Sequence, residues 1–319
     1  MTTRGVTIGK FYPPHRGHGH LVEQARARCD ALTVILCFKP DEDPPGSLRA
    51  AWLRELYRDV EVLLVEDVYP EEPGVWADNT IRVLGGPPDV AFTSEDYGDE
   101  WARRMGAAHV EIDRARRTFP CSGRAVRADP LAHWDCLAPC VRAYYAKRVC
   151  VVGAESSGTT TLARDLAAHY ETEWVPEYGR EYFERTEHSN RPWRSEELLY
   201  IAREQARRED EAARRANRLL VCDTDAFATG IWHERYLGHR SPVVESVRAM
   251  RACDLYVVTD IDIPFVQDGT RDGEHIRAWM HRRFVEALEE RGTPFRIVSG
   301  TREARVRAAV GFIDEQVGA

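Results

Sequence analysis

Short β-branched runs, each followed at once by helical periodicity, recur along this chain, and that alternation restricts its fold more than any other feature. VTIGKF (6–11) precedes a helix expected near 18–30, TVILCF (33–38) one near 47–58, and VLLVED (62–67) one near 76–84. VAFTS (90–94) and HVEID (109–113) close the series. Strand–helix–strand units join parallel strands through right-handed crossovers, so helices cover both faces of the resulting sheet. A second series opens at RVCVVGA (148–154), continues with a helix from about 158 to 170, and adds strands at 174–178, 218–225, 255–260 and 295–300. Its longest helix is expected at 195–217. The prediction is an α/β protein of two tandem parallel-sheet domains, 1–146 and 147–319, joined near 145–148 without a Gly/Ser linker. The length of 319 residues agrees with two such units. Ligands of open parallel sheets sit beyond the carboxyl ends of the strands, so the loops there carry the function.

Composition narrows the class. A formal charge of −8, from 44 basic and 52 acidic side chains, opposes a phosphate backbone and disfavours broad nucleic-acid binding. The eight cysteines show no CxxC pair and several lie in apolar runs, so they read as small buried hydrophobes in a reducing cytoplasm; Cys136 and Cys140 could share a helix face. The N-terminus passes straight into a candidate strand, leaving no apolar leader, and no apolar run approaches the roughly 18 residues of a membrane span. The expected setting is cytoplasmic, with no membrane partner, and a homo-oligomer is compatible with the sequence. The Arg/Glu-rich stretch AREQARREDEAARRANR reads as a solvated helix face.

The most informative segment of the first half is GKFYPPHRGHGHLVEQA, where a strand ends at Phe11 and His15-Arg16-Gly17-His18 leads into a helix. Helix N-termini present N–H groups with partial positive charge, and two imidazoles three residues apart can each donate to phosphate oxygens. Gly17 lets backbone approach closely, and Lys10 adds a cation. The plainer alternative is that His15, His18 and His20 cap or pack locally. The segment resembles the GxFxPxHxGH signature of the nucleotidyltransferase superfamily, with Gly9, Phe11, His15, Gly17 and His18 in its slots. The resemblance implies a Rossmann-like domain in which His15 and His18 bind a triphosphate while a phosphate of the acceptor displaces pyrophosphate. CSGRAVRADPLAHW resembles the second signature of that superfamily, ISxTxxR, through Ser122 and Arg127; Arg124 occupies the threonine slot. Ser122 also reads as a plain helix N-cap. Trp76 lies where related enzymes place an aromatic ring against nicotinamide, although a tryptophan at a helix start is more often core. FTSED (92–96) either lines the adenosine side or starts a helix capped by Ser94.

The second half opens on VCVVGAESSGTTTLARDLA, a strand, a Gly-rich loop and a helix that fit GxxxxGK[ST] everywhere but once. Gly153 and Gly158 take the glycine slots, Glu155, Ser156 and Ser157 lie in the amide nest, and Thr160, followed by Thr161, offers a hydroxyl to Mg²⁺. Thr159 stands where the lysine belongs. The chain has lysine only at 10, 39 and 147, so a replacement cation in this half is an arginine, from Arg164, Arg180 and Arg271, with Arg180 and Arg271 favoured. Asp223 or Asp225, at the end of LLVCDTD, would complete the Mg²⁺ site.

In order, GKFYPPHRGH, CSGRAVRADPLAHW, YYAKRVCVVGAESSG, VPEYGREY, CDTDAFAT and FVQDGTRD resemble the bifunctional nicotinamide-mononucleotide adenylyltransferase/ribosylnicotinamide kinase family across nearly the whole chain. That resemblance implies a P-loop kinase domain that phosphorylates nicotinamide riboside and a transferase domain that adenylates nicotinamide mononucleotide, both with ATP and Mg²⁺. It places Glu177 as general base, with Tyr178 beside it in VPEYGREY. Some members carry an N-terminal helix-turn-helix; the first strand here starts too near Met1 for one to precede it. Two alternatives stand beside this reading. One is a second half that senses ATP or NAD without turnover, and the other is a transferase acting on a different phosphorylated small molecule.

Overall fold

The protein is described from a computed structural model that covers residues 2–70, 72–186, 191–250, 252–267 and 273–318, with the side chains of 248–250 left aside. Arg271, a predicted phosphate ligand, lies outside the described residues. The chain divides into two compact units, Met1–Val141 and Arg142–Ala319.

In the first unit, β1 (Arg4–Gly9), β2 (Ala31–Phe38), β3 (Glu61–Glu66), β4 (Val90–Thr93) and β5 (Ala108–Glu111) form a sheet in the order β3-β2-β1-β4-β5, parallel at every pairing. Between them run α1 (Arg16–Arg26), α2 (Gly46–Leu56), α3 (Pro73–Leu84) and α4 (Gly98–Met105), followed by α5 (Gly123–Ala128); α6 (Pro139–Tyr145) spans the boundary of the two units. One face of the sheet packs Val34 and Leu36 against Val22 and Leu53, and the other packs Val6 and Ile35 against Ala77 and Trp101. This two-sided burial explains why the strands read as near-continuous apolar runs. The order reverses between β1 and β4, which leaves a crevice beyond the end of β1.

The second unit repeats the plan with β6 (Lys147–Gly153), β7 (Trp174–Val175), β8 (Leu219–Asp223), β9 (Leu255–Thr259) and β10 (Phe295–Val298), again all parallel, in the order β10-β9-β6-β8-β7. Its helices are α7 (Thr159–His169), α8 (Tyr178–Arg185), α9 (Ser195–Ala213), α10 (Ala226–Leu237), α11 (Pro242–Met250), α12 (Arg277–Glu289) and α13 (Arg302–Val317). Val149, Val151, Val221 and Val257 meet Leu162, Leu166 and Ile313 in the core of one face. The loop after β6 lies at the reversal between β6 and β8. Among the described residues, no helix is long and apolar enough to cross a membrane.

One expectation from composition is overturned. Cys121 and Cys136 are joined by a disulfide, whereas all eight cysteines read as isolated buried thiols. The spacing hid this pair because the chain turns back through a 3₁₀ turn at Trp134–Cys136, bringing together Cα atoms 6.4 Å apart. Cys136 and Cys140 do not share a helix, since Cys136 ends that turn and Cys140 belongs to α6.

Candidate functional site

In the first unit a cavity of about 480 Å³ opens beyond β1, lined by Gly9, Lys10, Phe11, His15, Gly17, His18 and Arg127 among others. His15 is the N-cap of α1: its Nδ1 accepts the N–H groups of Gly17 (3.1 Å) and His18 (3.4 Å). Two amides expected to face an anion are therefore already held by an imidazole, so capping and function share one side chain. The acceptor role fixes the tautomer, because a neutral ring that accepts at Nδ1 carries its proton on Nε2. The His18 ring stacks on His15 with centroids 3.8 Å apart, and its buried Nδ1 has no hydrogen-bond partner. Burial, reinforced by the Arg116 charge, pulls His15 down to about 4. His18 is lowered further by burial, by His15 and by Arg116, against a raising contact from the Pro13 carbonyl. Both rings are neutral near pH 7, and bound phosphate would raise both. Gly17 is small for a local reason, since a Cβ there would stand 3.0 Å from His15 Cε1.

The remaining predicted residues of this half separate into two groups. Arg127 donates to the Tyr12 carbonyl and lies over the Tyr12 ring at 4.2 Å, with Arg49 4.7 Å from the same ring. Lys10 pairs with Asp67 (3.0 Å) and Glu42 (3.4 Å), so its charge reaches the cavity already partly balanced. Ser122 is the N-cap of α5, accepting from Ala125 N–H at 3.2 Å, and neither it nor the exposed Arg124 lines the cavity. Trp76 is likewise absent from the lining; it meets Tyr69 edge-on and packs on the core around Val6 and Trp101. Ser94 lines the cavity but caps no helix, donating instead to the Ile112 carbonyl at 2.6 Å. Arg116 and Phe119 also line this cavity and were missed, and His20, read only as a local cap or packing residue, lines it too. The RARR run of 114–117 was a visible cue for Arg116.

In the second unit a cavity of about 400 Å³ is bounded by the loop after β6, with Gly153, Glu155, Ser156, Gly158, Thr159, Thr160 and Thr161 in its wall. Gly158 caps α7 in the left-handed region (φ 89°) and Ser156 is also left-handed (φ 58°), the alternation that turns successive amides toward an anion. A Cβ on Gly153 would collide with Thr259 Oγ1 and Ser157 Oγ. Ser157 is correspondingly turned inward: its hydroxyl donates to the Ala154 carbonyl and pairs with Thr259, 2.6 Å in each case, which removes its side chain from the phosphate side. Thr160 Oγ1 donates to Asp223 Oδ2 at 2.6 Å. Burial pushes the Asp223 carboxyl up, opposed by hydrogen bonds from Thr160 and Thr159 and by the Arg180 and Arg164 charges. A buried carboxylate beside a hydroxyl, with raised proton affinity, fits a divalent cation. Asp225 does not share that role; it caps α10 through Ala228 N–H and accepts the Tyr256 hydroxyl at 2.6 Å.

Arg164 and Arg180 both line this cavity. Glu177 lines it too, whereas Tyr178 is buried beneath Arg208, whose guanidinium lies 4.3 Å from the ring centre. Glu155 is held by Arg235 at 2.9 Å, so this carboxylate beside the nest is neutralised. Two further arginines, both buried, hold the loop by its carbonyls: Arg305 donates to Ser157 O at 2.6 Å, and Arg277 to Ser156 O at 3.5 Å and Ile263 O at 3.0 Å. Sequence reading missed these three arginines because each lies inside a helix and meets the loop only through the fold. It also missed an aromatic wall of Phe183, Trp193, Trp232 and Tyr236, with Trp193 and Tyr236 stacked at 5.4 Å. Trp232 and Tyr236, four apart on α10, were a legible helix-face signal.

A family model described as an AAA domain matches residues 148–305. Over 99% of its length the chain is 27% identical to the trifunctional NAD biosynthesis/regulator protein NadR of Escherichia coli (strain K12), of which it spans 84%. It is 26% identical over 98% of its length to NadR of Salmonella typhimurium, spanning 83% of that protein. The chain is homologous to these two proteins. A stretch of 73 residues, 21% of this chain and 40% of its relative, is 33% identical to a probable nicotinate-nucleotide adenylyltransferase of Sulfurimonas denitrificans. The crystal structure of a NadR protein in complex with NR superposes over 100% of this chain and 97% of its own, with a TM-score of 0.85 at 20% identity, a likeness of fold.

Proposed function

We propose that the protein is a two-site enzyme of NAD biosynthesis that adenylates nicotinamide mononucleotide in the unit Met1–Val141 and phosphorylates nicotinamide riboside in the unit Arg142–Ala319. Homology to NadR supports an enzyme of the nucleotidyltransferase and kinase class acting in NAD biosynthesis, and the cytoplasm is the setting this reading assumes. The observation that carries it is that a cavity opens at each sheet reversal, lined by the stacked His15–His18 pair after β1 and by the Gly153–Thr160 loop after β6, both suited to phosphate.

In the first reaction the nicotinamide mononucleotide phosphate attacks the α-phosphorus of ATP in line, and the bond to pyrophosphate breaks. The Nε2–H of His15 and the ring of His18 donate to the triphosphate as charge moves onto the leaving group, with Arg116 and Arg127 nearby. Neutral donors suit this task. They cost little to desolvate, and they gain proton affinity as the pyrophosphate charge develops. In the second reaction Glu177 accepts the proton of the 5′-hydroxyl as that oxygen bonds to the γ-phosphorus and ADP departs. Arg164 and Arg180 supply the charge that Thr159 cannot, and the Trp193–Tyr236 wall offers a face to the pyridinium ring. Thr160 and Asp223 would hold Mg²⁺, which supplies charge neutralisation between the phosphates when bound.

A coupled assay with ATP, Mg²⁺ and either nicotinamide riboside or its mononucleotide, reading out NAD, tests the proposal. NAD from both substrates is expected. NAD from the mononucleotide alone would make the second unit a nucleotide sensor, and NAD from neither would reject the reading.

A further inference from the structure

One wall of the cavity in the unit Met1–Val141 is built by a short stretch of chain, since Arg116, Phe119, Cys121, Gly123 and Arg127 all line it. That stretch has little internal support. Residues 114–118 are exposed and belong to no helix or strand, and α5, only six residues long, buries Val126 alone. A helix of that length does not hold itself together in water. The wall is therefore fixed by its ties to the rest of the unit. Asp113 accepts the N–H groups of Arg117 (2.8 Å) and Thr118 (3.0 Å). Arg127 donates to the Tyr12 carbonyl, and Gly123 comes so near that a Cβ there would stand 2.5 Å from the same oxygen. The remaining tie is covalent: the Cys121–Cys136 disulfide joins the stretch to a segment anchored in the interior by Trp134 and Leu137.

The two ends of that bond sit in different surroundings. Cys121 is buried in the cavity wall, and its carbonyl lies 3.9 Å from where a Cβ on Gly17 would stand, beside the start of α1. Cys136 is half-buried and stands outside the lining, so solvent reaches the bond from its side. The other six cysteines are free thiols. A lone disulfide among free thiols, with one end accessible, is the arrangement of a bond that opens and closes, whereas a disulfide framework pairs its cysteines throughout.

We propose that Cys121–Cys136 is a redox-active disulfide through which a dithiol reductant controls triphosphate binding at the His15–His18 cavity; this rests on the reading of that cavity as the adenylyl-transfer site. One thiolate of the reductant attacks Cys136 Sγ, the S–S bond breaks, and Cys121 leaves with the electron pair and takes up a proton. The second thiol of the reductant attacks the mixed disulfide, and Cys136 leaves in the same way. The reductant ends as an internal disulfide, and the protein has gained two electrons and two protons. Reduction removes the covalent tie from the wall, so Arg116, Phe119 and Arg127 are less firmly held and part of the entropy of ordering them falls on the incoming triphosphate. The disulfide form is the tighter binder. By linkage, bound triphosphate favours the disulfide over the dithiol by the same factor.

The test equilibrates the full chain with mixtures of reduced and oxidised dithiothreitol, then unfolds and alkylates one portion for mass spectrometry and assays another. Six alkylated cysteines are expected at the oxidised end and eight at the reduced end, the added pair mapping to Cys121 and Cys136. Over the same range the KM for ATP in adenylyl transfer should rise by about five- to tenfold and return on reoxidation, while riboside phosphorylation by the same sample stays constant. Cys136→Ser should match the reduced protein and ignore the dithiol; in case that variant fails to fold, the reversible titration of the wild-type chain carries the test. Eight alkylated cysteines under oxidising conditions would overturn the proposal. So would an unchanged KM across the titration, which would make the bond a staple of stability only. Should adenylyl transfer be absent from both forms, the transferase reading fails, and the switch is judged by whether ATP shifts the dithiol–disulfide equilibrium of this pair; no shift overturns it.

Discussion

The loops after β1 and β6 occupy the same topological position in their sheets, yet under the proposed function they would meet phosphate in opposite ways. After β6 the backbone does the work: Gly158 and Ser156 turn left-handed, Ser157 faces inward, and Arg305 and Arg277 hold the loop carbonyls from behind. After β1 the first amides of the helix are consumed by His15, and the anion is left to side chains. The first solution is fixed in charge, whereas the second titrates. A fold can place two ligands of the same kind at equivalent crevices and still give them different sensitivity to pH and to substitution.

The comparison is broken most sharply by removing one group from each side. Glu177→Gln should lower phosphorylation of the riboside by about 10²–10⁴-fold, read as nicotinamide mononucleotide formed, while adenylyl transfer keeps its rate. An unchanged riboside rate would take Glu177 out of the chemistry. On the other side, His18→Ala should lower adenylyl transfer by about 10²–10³-fold, the usual cost of losing one preorganised donor, and leave phosphorylation intact; loss of both activities would mean the two units are not separable.

Thr159→Lys sharpens the comparison with a smaller change. Restoring a cation to the nest should tighten ATP binding to the second unit by about tenfold at most, measured by calorimetry on a His18→Ala background. Weaker binding would show that the Thr159 contact with Asp223, not the missing charge, sets the affinity.

The smallest expected effect is on stability. His15 has its folded pKa depressed to about 4, and His18 moves in the same direction. The unfolded chain therefore binds more protons, so the stability these neutral rings support is whole above about pH 6.5 and declines as pH falls toward 4. His15→Asn keeps an N-cap acceptor and removes one titrating ring, so its denaturation midpoint should fall less steeply over that range while adenylyl transfer still drops. A wild-type acid profile in that variant would show that His15 is not held neutral.

Much of this architecture was legible in the chain. Apolar runs buried on both faces announced β1, β2, β6, β8 and β9, and the predicted strand starts lie within about two residues of those observed because Gly, Pro and Asp punctuate the runs. The helix at 159–169 followed from the glycine loop before it. What failed depended on contacts distant in sequence. Trp76, Tyr178 and Ser157 carry suitable chemistry in suitable segments, but each side chain turns toward the core. Asp223 and Asp225 are two apart and chemically alike; strand geometry sends one to Thr160 and the other to the start of α10.

The sequence by itself determined the two parallel sheets and which loop of each lines a cavity at the sheet reversal, because periodicity and glycine spacing are local and each residue reports its own backbone preference. The tertiary structure alone decided which side chains face the cavities, which arginines stand behind the loop, and that Cys121 meets Cys136. Those outcomes depend on where helices far along the chain come to rest, and burial then sets the charge of His15, His18 and Asp223 through an environment that no short segment encodes.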